Sequence, residues 1–280
     1  MNQDVVKQLS IEAYKIRKGA VTSVFHAKSG HPGGSLSVAD ILTYLYFHEM
    51  NVDPKNPRCD DRDRFVLSKG HCAPALYATL AAKGYFPEDE LLNLRHFGAL
   101  LQGHPDMKSI PGVDMSTGSL GQGVSTACGI ALSGKLRNKD YRVYTVLGDG
   151  EIEEGQVWEA AMFAAHYKLD NLCLFVDNNG LQIDGPVTSV CSPEPITDKF
   201  KAFGFHVILI DAHDFNQIEA AVEEAKTVKG QPTAIIAKSV KGKGVSFMEN
   251  NPAWHGAAPN AEQYAVAIAD LDRHLAELEG

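Results

Sequence analysis

A strand, a glycine turn, a helix and a second strand follow one another within residues 141–180, and this pattern constrains the fold more than any other in the sequence. Residues 141–147 are rich in β-branched and aromatic side chains, which predicts a buried strand. A Gly-Asp-Gly turn follows, then residues 156–167 with a composition suited to a helix, then a second apolar strand at residues 172–176. About thirty residues separate the two strand ends, which suits one parallel βαβ unit.

Polar side chains stand at both strand ends of this unit. Gly148 and Gly150 flank Asp149, and glycine lets the backbone turn sharply and approach a ligand closely. Because parallel strands end at the same sheet edge, we expect Asp149 and Asn179 to lie close enough to share a cation. Their oxygens favour Mg²⁺ or Ca²⁺, and free N–H groups before a helix bind phosphate. The Gly-Asp-Gly turn and the turn at Asn179 are each common when they occur alone. The two turns together, at this spacing, predict a site for a metal-bound diphosphate.

Strands and helices alternate along the rest of the chain. Apolar residues at helical spacing predict an amphipathic helix from the N-terminus to near Gly30. Beyond it we expect strands at residues 64–67, 205–210 and 233–237, and helices at residues 73–83, 121–137 and 216–228. The alternation predicts an α/β fold with a doubly wound, largely parallel sheet, which binds ligands beyond the carboxyl ends of its strands. We expect residues 1–280 to form one domain, with a loop and a terminal helix at residues 250–280.

Composition and charge exclude several classes of protein. The chain has 280 residues, of which 44% are hydrophobic, enough to bury the core of one large domain. A net charge of -9 argues against a nucleic-acid surface. No apolar run is long enough to span a membrane and the first residues lack the features of a signal peptide, so we expect a cytoplasmic protein. Five cysteines without a Cys-x-x-Cys pair predict neither a disulfide framework nor a zinc site.

A short basic segment at residues 238–243 is a candidate for binding an anion. It carries three lysines directly after the strand predicted at residues 233–237. A local basic patch would suit a phosphorylated sugar, whereas a solvated turn at the end of a strand explains the same residues equally well. Both interpretations stay open on the sequence alone.

Eleven histidines are present, and four of them stand beside glycine in predicted turns: His31, His71, His104 and His255. A turn can direct a side chain into a cleft, and an imidazole changes its protonation near neutral pH, so these four are the candidate functional histidines. His96 stays open because it lies beside Arg95. The remaining histidines carry no functional signal: His26, His48, His166, His206, His213 and His274.

The compound motif of Asp149 and Asn179 resembles the thiamine diphosphate signature of the transketolase family. Further segments look like landmarks of that family, in the expected order: Ser-Gly-His-Pro-Gly-Gly at 29–34, Leu-Ser-Lys-Gly-His at 67–71, Gly-His-Pro at 103–105, Thr-Gly-Ser-Leu-Gly-Gln-Gly at 117–123 and Trp-His-Gly-Ala-Ala-Pro at 254–259. The resemblance extends nearly from end to end of the chain. Small departures are Ser119, where many transketolases carry proline, and Leu181, where isoleucine is common.

The resemblance implies a cofactor and a metal with defined contacts. The divalent metal, Mg²⁺ or alternatively Ca²⁺ or Mn²⁺, would be bound by Asp149, Asn179 and the main-chain carbonyl of Leu181. Thiamine diphosphate would be contacted by His71, Gly118, Leu120, Asp149, Gly150, Asn179 and His255. A backbone ligand tolerates the change at position 181.

The resemblance also implies roles in substrate binding and catalysis. Substrate contacts would come from His31, Arg95, His104 and His255. Catalytic roles would fall to His31, His71, His104 and His255, which move hydroxyl protons, and to Glu154 and Glu159, which match family carboxylates at the interface between subunits. For the two glutamates, charge at the beginning of a helix is an equally good explanation.

The family further requires a second, pyrimidine-binding domain that carries a catalytic glutamate. The sequence stops at Gly280 before any such domain, so we expect the N-terminal subunit of a split transketolase, inactive without a C-terminal partner subunit. The two chains would form a heterotetramer and transfer a two-carbon ketol unit between sugar phosphates. We expect neither nucleic acid nor a membrane as a partner.

Two other functions stay open. The chain resembles, less narrowly, subunits of other thiamine diphosphate enzymes, of the deoxyxylulose-phosphate synthase or ketoacid dehydrogenase type. His104 and His255, in their Gly-His-Pro and Trp-His-Gly motifs, favour transketolase over these. A non-catalytic paralogue that still binds the cofactor is the third possibility, against which the intact histidines argue.

Overall fold

A sheet of five parallel strands forms the centre of the computed structural model, which describes residues 1–280. Its strands are β1 (Arg64–Leu67), β2 (Val143–Gly148), β3 (Leu172–Asn178), β6 (His206–Asp211) and β7 (Thr233–Lys238), and a small antiparallel hairpin consists of β4 (Leu181–Gln182) and β5 (Gly185–Pro186). The strands of the sheet lie in the order β1-β2-β3-β7-β6. The predicted parallel α/β fold is confirmed, and every predicted strand is present.

Helices cover both faces of this sheet. The α-helices of the chain are α1 (Gln3–Ala27), α2 (Pro32–Tyr44), α3 (Ala73–Lys83), α4 (Gln122–Leu136), α5 (Gly155–His166), α6 (Val187–Val190), α7 (Ile196–Ala202), α8 (Phe215–Thr227) and α9 (Ala261–Glu279), the last of which packs against α1. Buried residues of α1, α2, α3 and α8 form one apolar core on one face, and those of α4, α5 and α7 form a second core on the other. Short 3-10 or π-helical turns also occur, at Leu45–Glu49, Gly70–Cys72, Glu88–Asn93, Glu151–Glu153 and Pro252–Trp254.

Helix α2 and the segment after β3 are the parts of the fold that the sequence did not predict. Every residue of α2 is buried, so it has no polar face and therefore no amphipathic period to detect. The hairpin, α6 and α7 are each short, and a few residues give no periodic signal. Most of the predicted helices are present with ends that differ by one or two residues.

The register of the strands brings the polar strand ends together as predicted. Gly148 pairs with Asp177, and the Asp149 N–H donates to the carbonyl of Asp177 at 3.3 Å. Beyond the next strand, the Ser239 N–H donates to the carbonyl of Asn178 at 3.1 Å. The loops that follow β2, β3 and β7 therefore lie side by side at one sheet edge.

Two further predictions concern cysteines and membranes. All five cysteines are free thiols, and Cys173 is buried within β3. None of the helices combines the length and the apolar composition that crossing a membrane would require.

Candidate active site

A cavity of about 290 Å³ opens at the carboxyl ends of β1, β2 and β3. Most of the residues that the sequence singled out line it: His31, His71, Gly118, Leu120, Asp149, Gly150, Asn179, Leu181 and His255. Four others do not line it, namely Arg95, His104, Glu154 and Glu159. The cavity lies where a parallel sheet is expected to bind its ligand.

Asp149 is buried at the floor of the cavity, with only 1% of its surface exposed. Its carboxylate accepts hydrogen bonds from the N–H groups of Gly150 (2.9 Å) and Gly180. Burial, together with the nearby carboxylate of Asp177, raises the pKa of Asp149 to about 6. This carboxylate carries its charge at a cost, because it forms no ion pair and the nearby ammonium of Lys241 offsets the cost only in part.

Asp177, at the end of β3, is equally buried but fully paired. It forms an ion pair with the buried Lys69, and the hydroxyls of Ser37 (2.6 Å) and Ser239 donate to its oxygens. Burial alone would raise the pKa of Asp177, but the Lys69 ammonium and these hydrogen bonds lower it. Asn179 Nδ2 also donates to Asp177 at 3.2 Å, which fixes the orientation of the Asn179 amide.

The donor set around Asp149 suits a hard divalent cation bound together with a ligand. No group of three or more His, Cys, Asp or Glu side chains is arranged to hold a metal ion. The candidate oxygens are instead one carboxylate, the amide of Asn179, which accepts from the N–H of Leu181 at 3.1 Å, and the carbonyl of Leu181, which accepts from a lysine. Each oxygen keeps a second lone pair, and the set leaves several positions for phosphate oxygens and water. The raised pKa of Asp149 agrees with this assignment, since a nearby cation would stabilise its charged form.

Three histidines form a cluster in the wall of the cavity. The ring centroids of His31 and His71 are 5.3 Å apart, those of His31 and His255 are 5.4 Å apart, and those of His71 and His255 are 5.1 Å apart. Burial is the main cause that lowers the pKa of His31 to about 4, and Arg95 is the second. Burial, followed by Lys241, lowers the pKa of His255 to about 3. The pKa of His71 is also lowered, chiefly by burial. All three rings are therefore neutral at pH 7, with one nitrogen to donate and one to accept a hydrogen bond.

Lys241 extends from the loop after β7 into the same cavity. Its ammonium donates to the carbonyl of Leu181 at 2.9 Å and lies 3.0 Å from Nδ1 of His255. Only 2% of the residue is exposed, so it is not part of a solvated turn. The interpretation of the basic segment as a solvated turn is therefore wrong for Lys241, whereas Lys238 is exposed, and anion binding stays a prediction.

His104 and Arg95 lie just beyond the lining of the cavity. A Cβ atom at Gly118 would come within 3.1 Å of the His104 ring, which places this histidine against a lining residue. The Arg95 guanidinium donates to the carbonyl of Gly103 at 3.3 Å. After burial, Arg95 is the cause that lowers the pKa of both His31 and His104, so it lies near both rings.

Glu154 and Glu159 lie outside the cavity, at the beginning of α5 and within it, and both are exposed. The glutamate that does line the cavity is Glu151, which accepts hydrogen bonds from the hydroxyl of Ser68 (2.6 Å) and the N–H of Gly121 (3.0 Å). Burial raises its pKa. The structure contains one chain, so the interface role of Glu154 and Glu159 stays a prediction.

The sequence matches the family described as transketolase, thiamine diphosphate binding domain, over residues 7–272. This chain belongs to that family. The resemblance inferred from the motifs is thereby confirmed, and with it the thiamine diphosphate-binding class of the domain.

Relatives named as transketolase subunits are similar to this chain over nearly its whole length. The 6-deoxy-6-sulfo-D-fructose transketolase subunit of a Clostridium species is 47% identical over 265 residues, covering 95% of this chain and 96% of that protein. The apulose-4-phosphate transketolase subunit of Phocaeicola vulgatus is 42% identical over 274 residues, covering 98% and 97%. The solved transketolase of Campylobacter jejuni superimposes with a TM-score of 0.86 at 33% identity, covering 100% of this chain but 48% of that chain. The chain thus spans about half of a full-length transketolase.

Several lining residues of this transketolase domain received no individual role from the sequence: Gly34, Lys69, Glu151, Gln182, Ile183 and Lys241. Lys69 stands two residues before His71 in a family motif, and that position was the available signal. Lys241 was visible only as one of three lysines in a basic segment. The contacts that distinguish it from its neighbours are tertiary.

Proposed function

We propose that this chain is the diphosphate-binding subunit of a split transketolase, which with a partner chain transfers a two-carbon ketol unit from a ketose phosphate to an aldose phosphate. The observation that carries the proposal is the cavity in which Asp149, Asn179 and the histidine cluster meet. The family match and the near-complete coverage of two relatives named as subunits, 96% and 97% of their lengths, support it.

Within the cavity, Asp149, Asn179 and the Leu181 carbonyl would hold the divalent metal, with Mg²⁺ expected and Ca²⁺ or Mn²⁺ as alternatives. The turn at Gly150 and the ammonium of Lys241 would face the diphosphate, since glycine lets the backbone approach a ligand closely and a buried cation attracts an anion. When bound, thiamine diphosphate supplies an electron sink for carbon–carbon bond cleavage and formation.

The chain's own contribution to the reaction is to hold and move protons at sugar hydroxyl groups. Because His31 and His255 are neutral, each ring can donate at one nitrogen and accept at the other. Nδ1 of His31 is buried and has no hydrogen-bond partner, so the fold leaves part of the hydrogen-bonding capacity of this ring unused. His104 and Arg95, beyond the lining, would bind oxygens of the sugar that extends out of the cavity.

The partner we propose is a C-terminal transketolase subunit that carries the pyrimidine domain and the catalytic glutamate. Ile183 lines the cavity with 64% of its surface exposed, which suits a residue that a partner chain covers. On the outer side of α5, Met162 and Phe163 are exposed one turn after Glu159. An apolar strip beside that carboxylate suits a contact with a second copy of the chain and hence a heterotetramer.

Reconstitution tests this function. The chain, a candidate C-terminal partner, thiamine diphosphate and Mg²⁺ are combined, and ketol transfer from ketose phosphates to aldose phosphates is followed. Sulfofructose and apulose 4-phosphate are included because two relatives are named for them. We expect transfer only with both chains present. A complex that binds the cofactor but transfers no ketol unit from any donor would contradict the proposal and leave the non-catalytic paralogue.

The metal assignment has a narrower test. Asp149→Ala removes the only carboxylate of the proposed donor set, so we expect the affinity for thiamine diphosphate in the presence of Mg²⁺ to fall by roughly 100-fold or more. Asp184→Ala, an exposed carboxylate of the β4–β5 turn, is the matched control and should bind normally. Calorimetric titration measures both, and an unchanged affinity in the Asp149 variant would refute the assignment.

A further inference from the structure

The loop that carries Lys241 has no strand or helix to hold it. It follows β7 and contains Gly242 and Gly244, both with positive φ (80° and 88°). Its backbone is anchored by a few individual hydrogen bonds, among them Gly242 N–H to the carbonyl of Gly33 at 2.9 Å. The carbonyl of Lys241 accepts from the N–H of Asn250 at 2.9 Å, and on its other side the Val240 N–H donates to a side chain, Nε2 of His213, at 2.9 Å.

His213 in turn belongs to a network that joins separate elements of the fold. Its Nδ1 lies 2.7 Å from Oδ2 of Asp40 in α2, and Asp40 forms an ion pair with Arg17 of α1. Arg17 is 1% exposed and Asp40 is 5% exposed, and Nε of Arg17 also donates to the carbonyl of Leu36 at 3.1 Å. A buried, charge-assisted network of this kind resists displacement.

The contacts of His213 determine its tautomer. A backbone N–H can only donate, so Nε2 must be the accepting nitrogen. The ring proton therefore resides on Nδ1 and is donated to Asp40, whose carboxylate is kept charged by Arg17. Asp40 thus selects the one neutral form of His213 that can hold Val240.

We propose that His213 is a positioning residue for the cofactor site, which through Val240 holds Lys241 against Leu181 and His255. The inference rests on the proposed cofactor function, because Lys241 matters there as the cation that faces the diphosphate. His213 itself does not line the cavity, and it lies with Val240 in the lining of a separate surface depression.

Other charged groups near His213 do not replace this contact. Asp211 accepts the backbone N–H of His213 at 2.8 Å and so fixes its main chain rather than its ring. Lys238 and Lys243 share a surface depression with His213, but neither forms a hydrogen bond to the imidazole. The ring therefore has two partners, Asp40 and Val240.

A double-mutant cycle on cofactor affinity tests whether His213 acts through Lys241. Calorimetry with thiamine diphosphate and Mg²⁺ should show a loss of roughly 10- to 100-fold for Lys241→Met, which removes a charge-assisted hydrogen-bond donor. His213→Leu alone should reduce the affinity for thiamine diphosphate by roughly 5- to 10-fold. The same substitution should reduce it by less than about twofold in a chain that already carries Lys241→Met. An equal loss in both backgrounds would mean that His213 serves the fold in general and would overturn the proposal.

Hydrogen exchange tests the anchor without the cofactor. In His213→Leu the amide of Val240 should exchange roughly tenfold faster, while the amides of β7 keep their protection. His213→Gln, whose side-chain oxygen can still accept from Val240, should restore most of that protection. His206→Leu is the matched control, because His206 also pairs with a carboxylate, Glu224 at 2.6 Å, but holds no loop.

The two measurements separate the possible failures. If the wild-type chain, reconstituted with its partner, does not bind thiamine diphosphate, the proposed function fails, and the exchange of Val240 still decides whether His213 anchors the loop. Unchanged protection of Val240 in His213→Leu would contradict the proposal whatever the cofactor affinity.

Discussion

Asp149 and Asp177 stand at the ends of neighbouring strands and are equally buried, yet their surroundings are opposite. Asp177 is paired with Lys69 and two serine hydroxyls, and its pKa is lowered. Asp149 accepts hydrogen bonds from two backbone N–H groups and forms no ion pair, and although Lys241 lies near enough to lower its pKa in part, that pKa is raised to about 6. The charge of Asp177 is balanced within the fold, whereas the charge of Asp149 would be stabilised by a further cation.

The two neighbouring carboxylates therefore have different roles: one stabilises the fold and the other is offered to a ligand. Asp177 uses its hydrogen bonds to orient Asn179 and to join β3 to Lys69, so it contributes order. Asp149 offers the same chemical group to the cavity at a cost in stability, which a bound cation would offset. Burial alone would not distinguish the two residues, whereas their partners do.

The largest expected effect comes from removing the ion pair between Asp177 and Lys69. Asp177→Asn leaves the buried ammonium of Lys69 without its counter-charge, and we expect a loss of about 3–5 kcal/mol in the free energy of unfolding. Urea denaturation at pH 7 measures it, with Asp184→Asn as the exposed control. A loss below about 1 kcal/mol would show that Asp177 is not the satisfied partner described above.

Asp149 should show the opposite behaviour in the metal-free chain. Its pKa is about 6 in the folded state and 3.8 as the ordinary value. As the pH rises from about 4 to about 6, the unfolded chain loses this proton first, so the stability falls over that window. We expect the wild type to lose about 2 kcal/mol relative to Asp149→Asn between pH 4 and pH 7, measured by urea unfolding with a chelator. If the free energy of unfolding of the two proteins changed in parallel with pH, Asp149 would not have the raised pKa described above.

The histidine cluster should give the smallest effect, with a different pH window. The pKa of His31 is about 4 and that of His255 about 3 in the folded state. Below about pH 6.5 these rings become protonated in the unfolded chain but stay neutral in the folded chain, so the stability falls as the pH decreases. Because both rings are partly solvated, replacing either by Asn should reduce the loss between pH 7 and pH 5 by under about 1 kcal/mol. An unaltered slope in both variants would mean that the rings bind protons as readily in the folded chain as in the unfolded chain.

Much of the fold and the site could be predicted because the informative signals are local. The glycine turn around Asp149 and the strand before it identify a strand end, and the parallel βαβ spacing places Asn179 beside it. The register Gly148 to Asp177 agrees with that geometry. Histidines beside glycine were likewise visible as turn residues before any contact was known.

Other parts depend on contacts between distant segments. Helix α2 is buried on all sides and so lacks the polar face that marks an amphipathic helix. Lys241 has the sequence context of a surface lysine, since buried lysines are rare, and only its contacts with Leu181 and His255 reveal its place. His213 was set aside for the same reason, because Asp40 and Val240 reach it only after folding.

The histidine cluster has a consequence for the order of assembly. His31 lies near the beginning of the chain and His255 near its end, yet their rings meet in one wall of the cavity. During synthesis the strands of the sheet emerge before residue 255 does, so a ribosome-bound chain can form its core while the cavity still lacks a wall. The cavity is therefore completed only after every strand of the sheet has been synthesised.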